Sequence, residues 1–276
     1  VAFCPGHISA WFKPVFAGDG EPSGSVGGGI VIDKGVESTA VPSDITEVKC
    51  LYTGRKGELI KSVKGSAPVE YALKSAGIFA AITTRTELPP ESGFGLSAAA
   101  IISSLDAGAK AAGIEISADT ILDIAYRTEV GFRSGLGDVP AVAGGGYVCR
   151  REPGLKGDIA RRYDMNRPIF VLNFGPLPTS GFLGDSDAVE KVNCAYSKRC
   201  PESPEEFFSI AREFTMKSGL VTPQAGEVLS ACDSEGIPAS MTMLGNGIFA
   251  YGEEALPVLG EFGNPVEIHM AEKGFS

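Results

Sequence analysis

The run Pro89-Pro-Glu-Ser-Gly93-Phe-Gly95-Leu-Ser97-Ala-Ala-Ala100 carries the residue types of an anion-binding turn. Two glycines spaced two apart allow positive φ and close backbone approach to a ligand. The small residues that follow suit a helix start, whose free N–H groups and positive dipole end suit a phosphate. A glycine-rich turn that only packs a helix closely is the competing reading, and local features weigh both equally. Thirty residues on, Glu129 falls on the same helical stripe as Ile121 and Ala125. A carboxylate on a buried stripe is costly unless paired or metal-bound. Mg²⁺ is one partner that meets this need; the alternative is a helix-end Glu facing solvent or paired with Arg127 or Arg133. Asp138 follows Gly137 and precedes the glycine run Gly144-Gly-Gly146, so it either faces a ligand or caps local amides as turn aspartates do.

A third group is upstream, in Cys4-Pro-Gly-His7-Ile and Ser23-Gly-Ser25-Val-Gly-Gly-Gly29. His7 is either an anion contact or a structural hydrogen-bonder. Arg150 offers a bidentate fit to a carboxylate, or is a solvated strand end.

These residues need elements to hold them. Gly29–Asp33 and Glu47–Tyr52 read as strands by their β-branched and apolar content. Ser66 with Pro68 opens a helix, Ala98 to Ala112 reads as a helix closed by Gly113, and Ser117 starts another that reaches about Val130. A polar passage, Arg151 to Asp158, leads to a strand over 168–174, and a domain boundary is expected near 155. Ser203-Pro-Glu-Glu206 is a capping box, followed by Phe207, Ile210, Ala211 and Phe214 at amphipathic spacing and closed by Gly219. Thr222-Pro begins a further helix; strands are expected at Ile248–Tyr251 and Val266–Met270.

Composition narrows the chemistry. The 276 residues are 43% hydrophobic, enough for a packed core rather than a disordered chain. A net charge of −10 and the absence of a Lys/Arg run argue against nucleic-acid binding, so an anionic ligand must be held locally. With two histidines and no C-x-x-C pair, a zinc site is not expected, and the six scattered cysteines read as reduced thiols. No stretch approaches about 18 uninterrupted apolar residues and the N-terminus lacks a signal-peptide layout, so the expectation is a cytoplasmic protein without membrane contact. A P-loop is absent. Gly245-Asn-Gly247-Ile-Phe-Ala250 matches a dinucleotide pattern, but the strand-like residues after it mark a tight turn before a strand.

In this order the pieces resemble the GHMP kinases, the superfamily of galacto-, homoserine, mevalonate and phosphomevalonate kinases. The family motif P-x-x-x-G-L-G-S-S-A-A is met by Pro89, Gly93, Phe94, Gly95, Leu96, Ser97, Ala98 and Ala99, with Phe94 and Leu96 as departures. Glu129, Asp138 and the turn Met241–Gly247 stand where the family has corresponding features. The Cys4-Pro-Gly-His-Ile8 start, the Gly24–Gly29 run, Gly135-Leu-Gly-Asp-Val139 and Arg150-x-x-Pro-Gly154 are similar to the archaeal pantoate kinase branch.

The resemblance implies an α+β, two-domain fold: a ribosomal-S5-like nucleotide-binding domain over 1–155 and a ferredoxin-like domain over 156–276. It also implies ATP and Mg²⁺ as cofactors, the motif residues Pro89 to Ala99 on ATP, Ser97 and Glu129 on the metal, and Asp138 on the acceptor hydroxyl. Ser25, His7 and Arg150 become candidates for the acceptor, which the resemblance makes the 4-hydroxyl of (R)-pantoate, and a homodimer is the candidate assembly. The rival readings are a kinase of the same kind acting on a mevalonate-pathway or homoserine-type alcohol, and a non-catalytic relative that binds a ligand.

Overall fold

The computed structural model describes residues 1–18, 22–175 and 182–275. Among these, strands form two sheets of seven and four members. The first sheet is organised around two long strands, β1 (Ala2–Phe16) and β2 (Pro22–Pro42), which pair antiparallel along nearly their whole length. One half of β2, Gly27–Ile30, also pairs with β6 (Tyr147–Arg150); the other half, Glu37–Pro42, pairs with β5 (Ala80–Thr86). Beyond β5 come β3 (Glu47–Thr53), parallel to it, and the edge strand β4 (Leu59–Lys64); beyond β6 comes β7 (Ile159–Arg162).

On this sheet lie α1 (Ala67–Ser75), α2 (Leu96–Ala112), α3 (Ala118–Phe132) and the single-turn α4 (Asp138–Val142). The small residues of α2 are what bring it so close. Ala98 and Ala99 are fully buried, and Gly108 faces Ile78 and Leu73 with room for nothing larger. Ser117 caps α3 by accepting from the Thr120 amide, and Gly113 ends α2 in the left-handed region. Helix α3 runs on through Gly131 to Phe132, two residues past its expected end, and Arg133 rather than a glycine takes the left-handed cap at φ 54°.

The second sheet, in the order β11 (Val266–Ile268), β8 (Ile169–Asn173), β10 (Gly247–Tyr251), β9 (Ala239–Met241), is antiparallel throughout. Helices α5 (Ser186–Ala195), α6 (Pro204–Ser218), α7 (Pro223–Ser234) and α8 (Ala255–Gly260) accompany it. Ser203 accepts from the Glu206 amide as the capping box requires, while the Glu206 carboxylate accepts from the Glu202 amide, one residue earlier than in the usual box. Phe207, Ile210, Ala211 and Phe214 are all buried, and Trp11 on β1 packs on Phe207 with ring centroids 5.0 Å apart. So β1 serves both cores. The last residues return to the first sheet: Ala271 donates to Val31, and Phe275 is buried among the residues under α4.

Residues 2–16, for which the sequence suggested no element, form one strand, with a register shift against β2 at Pro5 and Gly6. Two expectations change. The passage 151–158 closes a hairpin between β6 and β7, and the chain leaves the first sheet only after Arg162. Cys149 and Cys200 are joined as a disulfide, against the expectation of six reduced thiols; Cys4, Cys50, Cys194 and Cys232 are free. No helix among the described residues is long and apolar enough to cross a membrane.

Replacing the cap hydroxyl in Ser203→Ala leaves the Glu206 amide without its acceptor. The expected loss is about 1 kcal/mol of unfolding free energy, read from denaturant midpoints at unchanged m; an unchanged midpoint would deny the cap that role.

Candidate active site

Between the first sheet, the glycine loop and the β9–β10 turn lies a cavity of about 540 Å³. Its loop wall is shaped by backbone. Gly93 (φ 81°) and Gly95 (φ 61°) are left-handed, and Gly95 stands as the N-cap of α2 with no side chain bonded to the cap. The first amides of that helix therefore point outward without an intrahelical acceptor. The β9–β10 turn clasps the loop from the other lobe. A Cβ on Gly93 would lie 2.9 Å from the Met243 carbonyl, and one on Gly245 only 2.2 Å from the Ser92 carbonyl. The turn read from Gly245 to Gly247 is thus part of the same wall, and Met243 and Leu244 line the cavity.

Behind the loop sits a buried acid. Ser97 Oγ donates to Glu129 Oε1 at 2.6 Å, and Ser134 Oγ donates to the same oxygen at 2.7 Å. Glu129 is fully buried, and its Oε2 has no partner among the described residues. Burial first, and the nearby Asp138 charge second, push its pKa up to about 8, although both hydroxyls act to lower it. The partners of Glu129 among the described residues are these two serines, and Arg127, weighed as its partner, bridges Asp123.

Asp138, at the start of α4, has 17% of its side chain exposed and accepts at Oδ1 from His7 Nδ1, 2.7 Å away. The other ring nitrogen, Nε2, is buried and has no partner among the described residues. Burial is the main reason that His7 titrates below its ordinary value; Asp138 opposes the shift, while Arg150 and Arg161 add to it. The His7 backbone N–H donates to the Phe94 carbonyl at 2.9 Å, which ties β1 to the loop.

Glycines set the remaining spacing. A Cβ on Gly135 would lie 2.0 Å from Glu129 Oε2 and 2.7 Å from Asp138 Oδ2, so the space above Gly135 is bounded by one oxygen of each acid. A Cβ on Gly137 would lie 2.6 Å from both Arg150 Nη2 and Ser25 Oγ. Arg150 is buried with Nε and Nη1 unpartnered among the described residues, and burial lowers its pKa to about 10. It remains charged at neutral pH.

Of the residues singled out from sequence, Ser25, Gly93, Phe94, Gly95, Leu96, Ser97 and Asp138 line the cavity. Glu129, His7 and Arg150 stand directly behind it, bonded to or pressed against lining residues. Pro89 is off the wall, and Ala98 and Ala99 face the core. Arg133, weighed from sequence only as a partner of Glu129, and Ser134 also line the cavity from the loop after α3. Sequence reasoning missed the opposite wall, where Tyr52, Lys61 and Thr84 come from β3, β4 and β5. Nothing local marks them; only the sheet order brings them here.

The profile of the GHMP kinases N terminal domain matches residues 61–146. A pantoate kinase of Methanospirillum hungatei is 42% identical over 274 residues, covering 99% of this chain and 94% of the relative. The chain belongs to the GHMP kinases. A pantoate kinase of Thermococcus kodakarensis is 29% identical, covering 97% of this chain and 94% of the relative. Among solved structures, a phosphotransferase related to the CoA biosynthesis pathway superposes with a TM-score of 0.80 at 25% identity, covering 98% of this chain and 95% of that one. A mevalonate kinase superposes with a TM-score of 0.63 at 13% identity over 98% of each chain, a likeness of fold. As a member of this kinase family the chain uses ATP as co-substrate, and the two-lobed α+β architecture is that of the GHMP kinases.

The raised pKa of Glu129 makes a stability prediction with a defined sign. Between its unfolded value of 4.5 and its folded value of about 8, folding takes up a proton. The contribution is complete below the unfolded value and is lost as pH rises through the folded one. Glu129→Gln, permanently neutral, should therefore gain Tm over wild type at about pH 8.5 relative to about pH 5 in the absence of divalent cations. A Tm difference that is the same at both pH values would mean that Glu129 ionises normally.

Proposed function

We propose that this kinase transfers the γ-phosphoryl group of ATP to the 4-hydroxyl of (R)-pantoate, giving 4-phosphopantoate on the way to coenzyme A. Relatives named pantoate kinases support the acceptor. The observation that carries it in this chain is Arg150, a buried guanidinium with two unpartnered nitrogens beside Ser25. A buried cation with free donors calls for an anionic group, and the carboxylate of pantoate meets it in bidentate fashion.

The phosphates of ATP would rest on the outward amides from Gly93 to Ser97, so no lysine cluster is needed. Mg²⁺ fits the other unfilled feature, the bare Glu129 Oε2 facing Asp138 Oδ2 across Gly135. Magnesium is bound by one or two carboxylates together with substrate phosphates, which matches a site with no cluster of three ligating side chains among the described residues. Ser97 and Glu129 would hold it, and when bound it would neutralise charge on the β- and γ-phosphates.

The chain's own groups do the rest. Asp138 orients the acceptor hydroxyl and accepts its proton as the oxygen attacks phosphorus. His7, assigned from the resemblance to the acceptor, acts in this reading on Asp138: it fixes Oδ1 and leaves Oδ2 for the hydroxyl. Ser25 and Arg150 hold the acceptor so that its hydroxyl faces the γ-phosphorus, a positioning effect large enough to matter for rate.

Coupled ADP-release assays with pantoate, mevalonate and homoserine test the assignment. Turnover is expected on pantoate, and Asp138→Asn should lower kcat by about 10²- to 10⁴-fold while ATP still binds. Activity on mevalonate with none on pantoate would overturn the acceptor, and unchanged turnover in the variant would remove Asp138 from the reaction.

A further inference from the structure

The glycine run 144–146, read from sequence as open space around Asp138, has a different neighbour. Asp138 opens α4 at the other end of its single turn, and what lies against Gly144 is Arg161. A Cβ on Gly144 would stand 2.8 Å from the centre of that guanidinium. Arg161 is on β7, directly across from Val148 on β6, two residues before Arg150. Its side chain reaches under the sheet edge to the C-terminal end of α4. There Nη1 donates to the carbonyls of Ala141 (2.8 Å) and Gly145 (3.0 Å), and Nη2 donates to the carbonyl of Pro140 (2.8 Å).

Three carbonyls bonded by one planar fork fix α4 in position and rotation, because the donors of a guanidinium cannot move independently. A cation at a helix C-terminus also opposes the partial negative charge there. Five residues make too short a helix to hold its own geometry in water. Other restraints on α4 are its apolar contacts, with Val139, Ala141 and Val142 buried, the Phe275 amide, which donates to the Val142 carbonyl at 2.8 Å, and the His7 bond to its first residue.

We propose that Arg161 is a positioning residue for phosphoryl transfer: by clamping the carbonyl end of α4 it holds Asp138, at the amino end, within reach of His7 and of the space shared with Glu129. The proposal rests on the reading that Asp138 faces the acceptor hydroxyl. Arg161 itself is absent from the cavity wall.

The test compares wild type with Arg161→Lys, Arg161→Met and Gly144→Ala, each checked for folding by its Tm. A lysine keeps the charge but cannot span three carbonyls, and the alanine leaves Arg161 present while crowding its guanidinium. The expected result for Arg161→Lys is a kcat about tenfold lower, with KM for ATP and pantoate within about twofold of wild type, since a misplacement of about 1 Å at the reacting group costs up to about 10²-fold. Gly144→Ala should fall the same way by a smaller factor, and Arg161→Met by more. A crystal structure of Arg161→Lys should show the Asp138–His7 bond lengthened or broken.

Wild-type kcat per folded molecule in Arg161→Lys and Gly144→Ala, or an Asp138–His7 distance still at 2.7 Å in the Arg161→Lys crystal, would overturn the proposal. If Arg161→Met fails to fold, these two variants decide it. Asp138→Asn is run beside them: full turnover there would fault the role of Asp138 itself, a failure distinct from that of the clamp.

Discussion

Two carboxylates, one fully buried and one partly open to the cavity, are held on either side of one glycine. Burial, and the charge of Asp138 beside it, disfavour ionisation of Glu129, whose Oε2, without a partner among the described residues, faces Asp138 over Gly135. A protein does not keep such an arrangement stable by itself; it needs a proton or a cation between the acids. Much of the structure serves to hold this tension. Two serines, from the starts of α2 and of the loop after α3, bond one oxygen of Glu129 and leave the other open, and His7 does the same for Asp138.

The close approach is made by what is missing from side chains. Gly135 and Gly137 lie where any Cβ would collide with Glu129 or with Arg150 and Ser25, so the acid pair and the buried cation are separated by two glycines and little else. Ala98 and Ala99 let α2 sit against the sheet, which aims its first turn at the cavity. The second lobe contributes through the β9–β10 turn, whose backbone presses on Ser92 and Gly93. The glycine loop, the two acids and Arg150 are therefore packed closely together, and a side chain at any of these glycines would displace them.

What could be read from the sequence was what depends on neighbours along the chain. The start of α2, the Ser117 and Ser203 caps, the glycine stops at 113 and 219 and the 3-4-7 spacing of α6 are local signals, and the fold obeys them. Glu129 stood out by its place on the stripe of α3, but the sequence left open whether it was buried or turned to solvent or an arginine; the structure buries it. The rest is pairing at a distance. The strand β1, for which the sequence suggested no element, is set by its long pairing with β2, with a register shift at Pro5 and Gly6. The joining of Cys149 to Cys200 links residues 51 apart, and the wall formed by Tyr52, Lys61 and Thr84 comes from sheet order alone. His7 was legible as a residue of interest, but its place behind Asp138 depends on a contact between residues 131 apart.

The central claim is that the space above Gly135 is a cation site, with the phosphates of ATP on the amides of the loop beside it. A crystal structure with a non-hydrolysable ATP analogue, Mn²⁺ in place of Mg²⁺ and pantoate tests it most directly, because anomalous scattering locates the metal without reference to the protein. The account predicts the metal peak within coordination distance of Glu129 Oε2, with phosphate oxygens on the amides from Gly93 to Ser97. A metal peak away from Glu129, or phosphates seated elsewhere in the cavity, would contradict it.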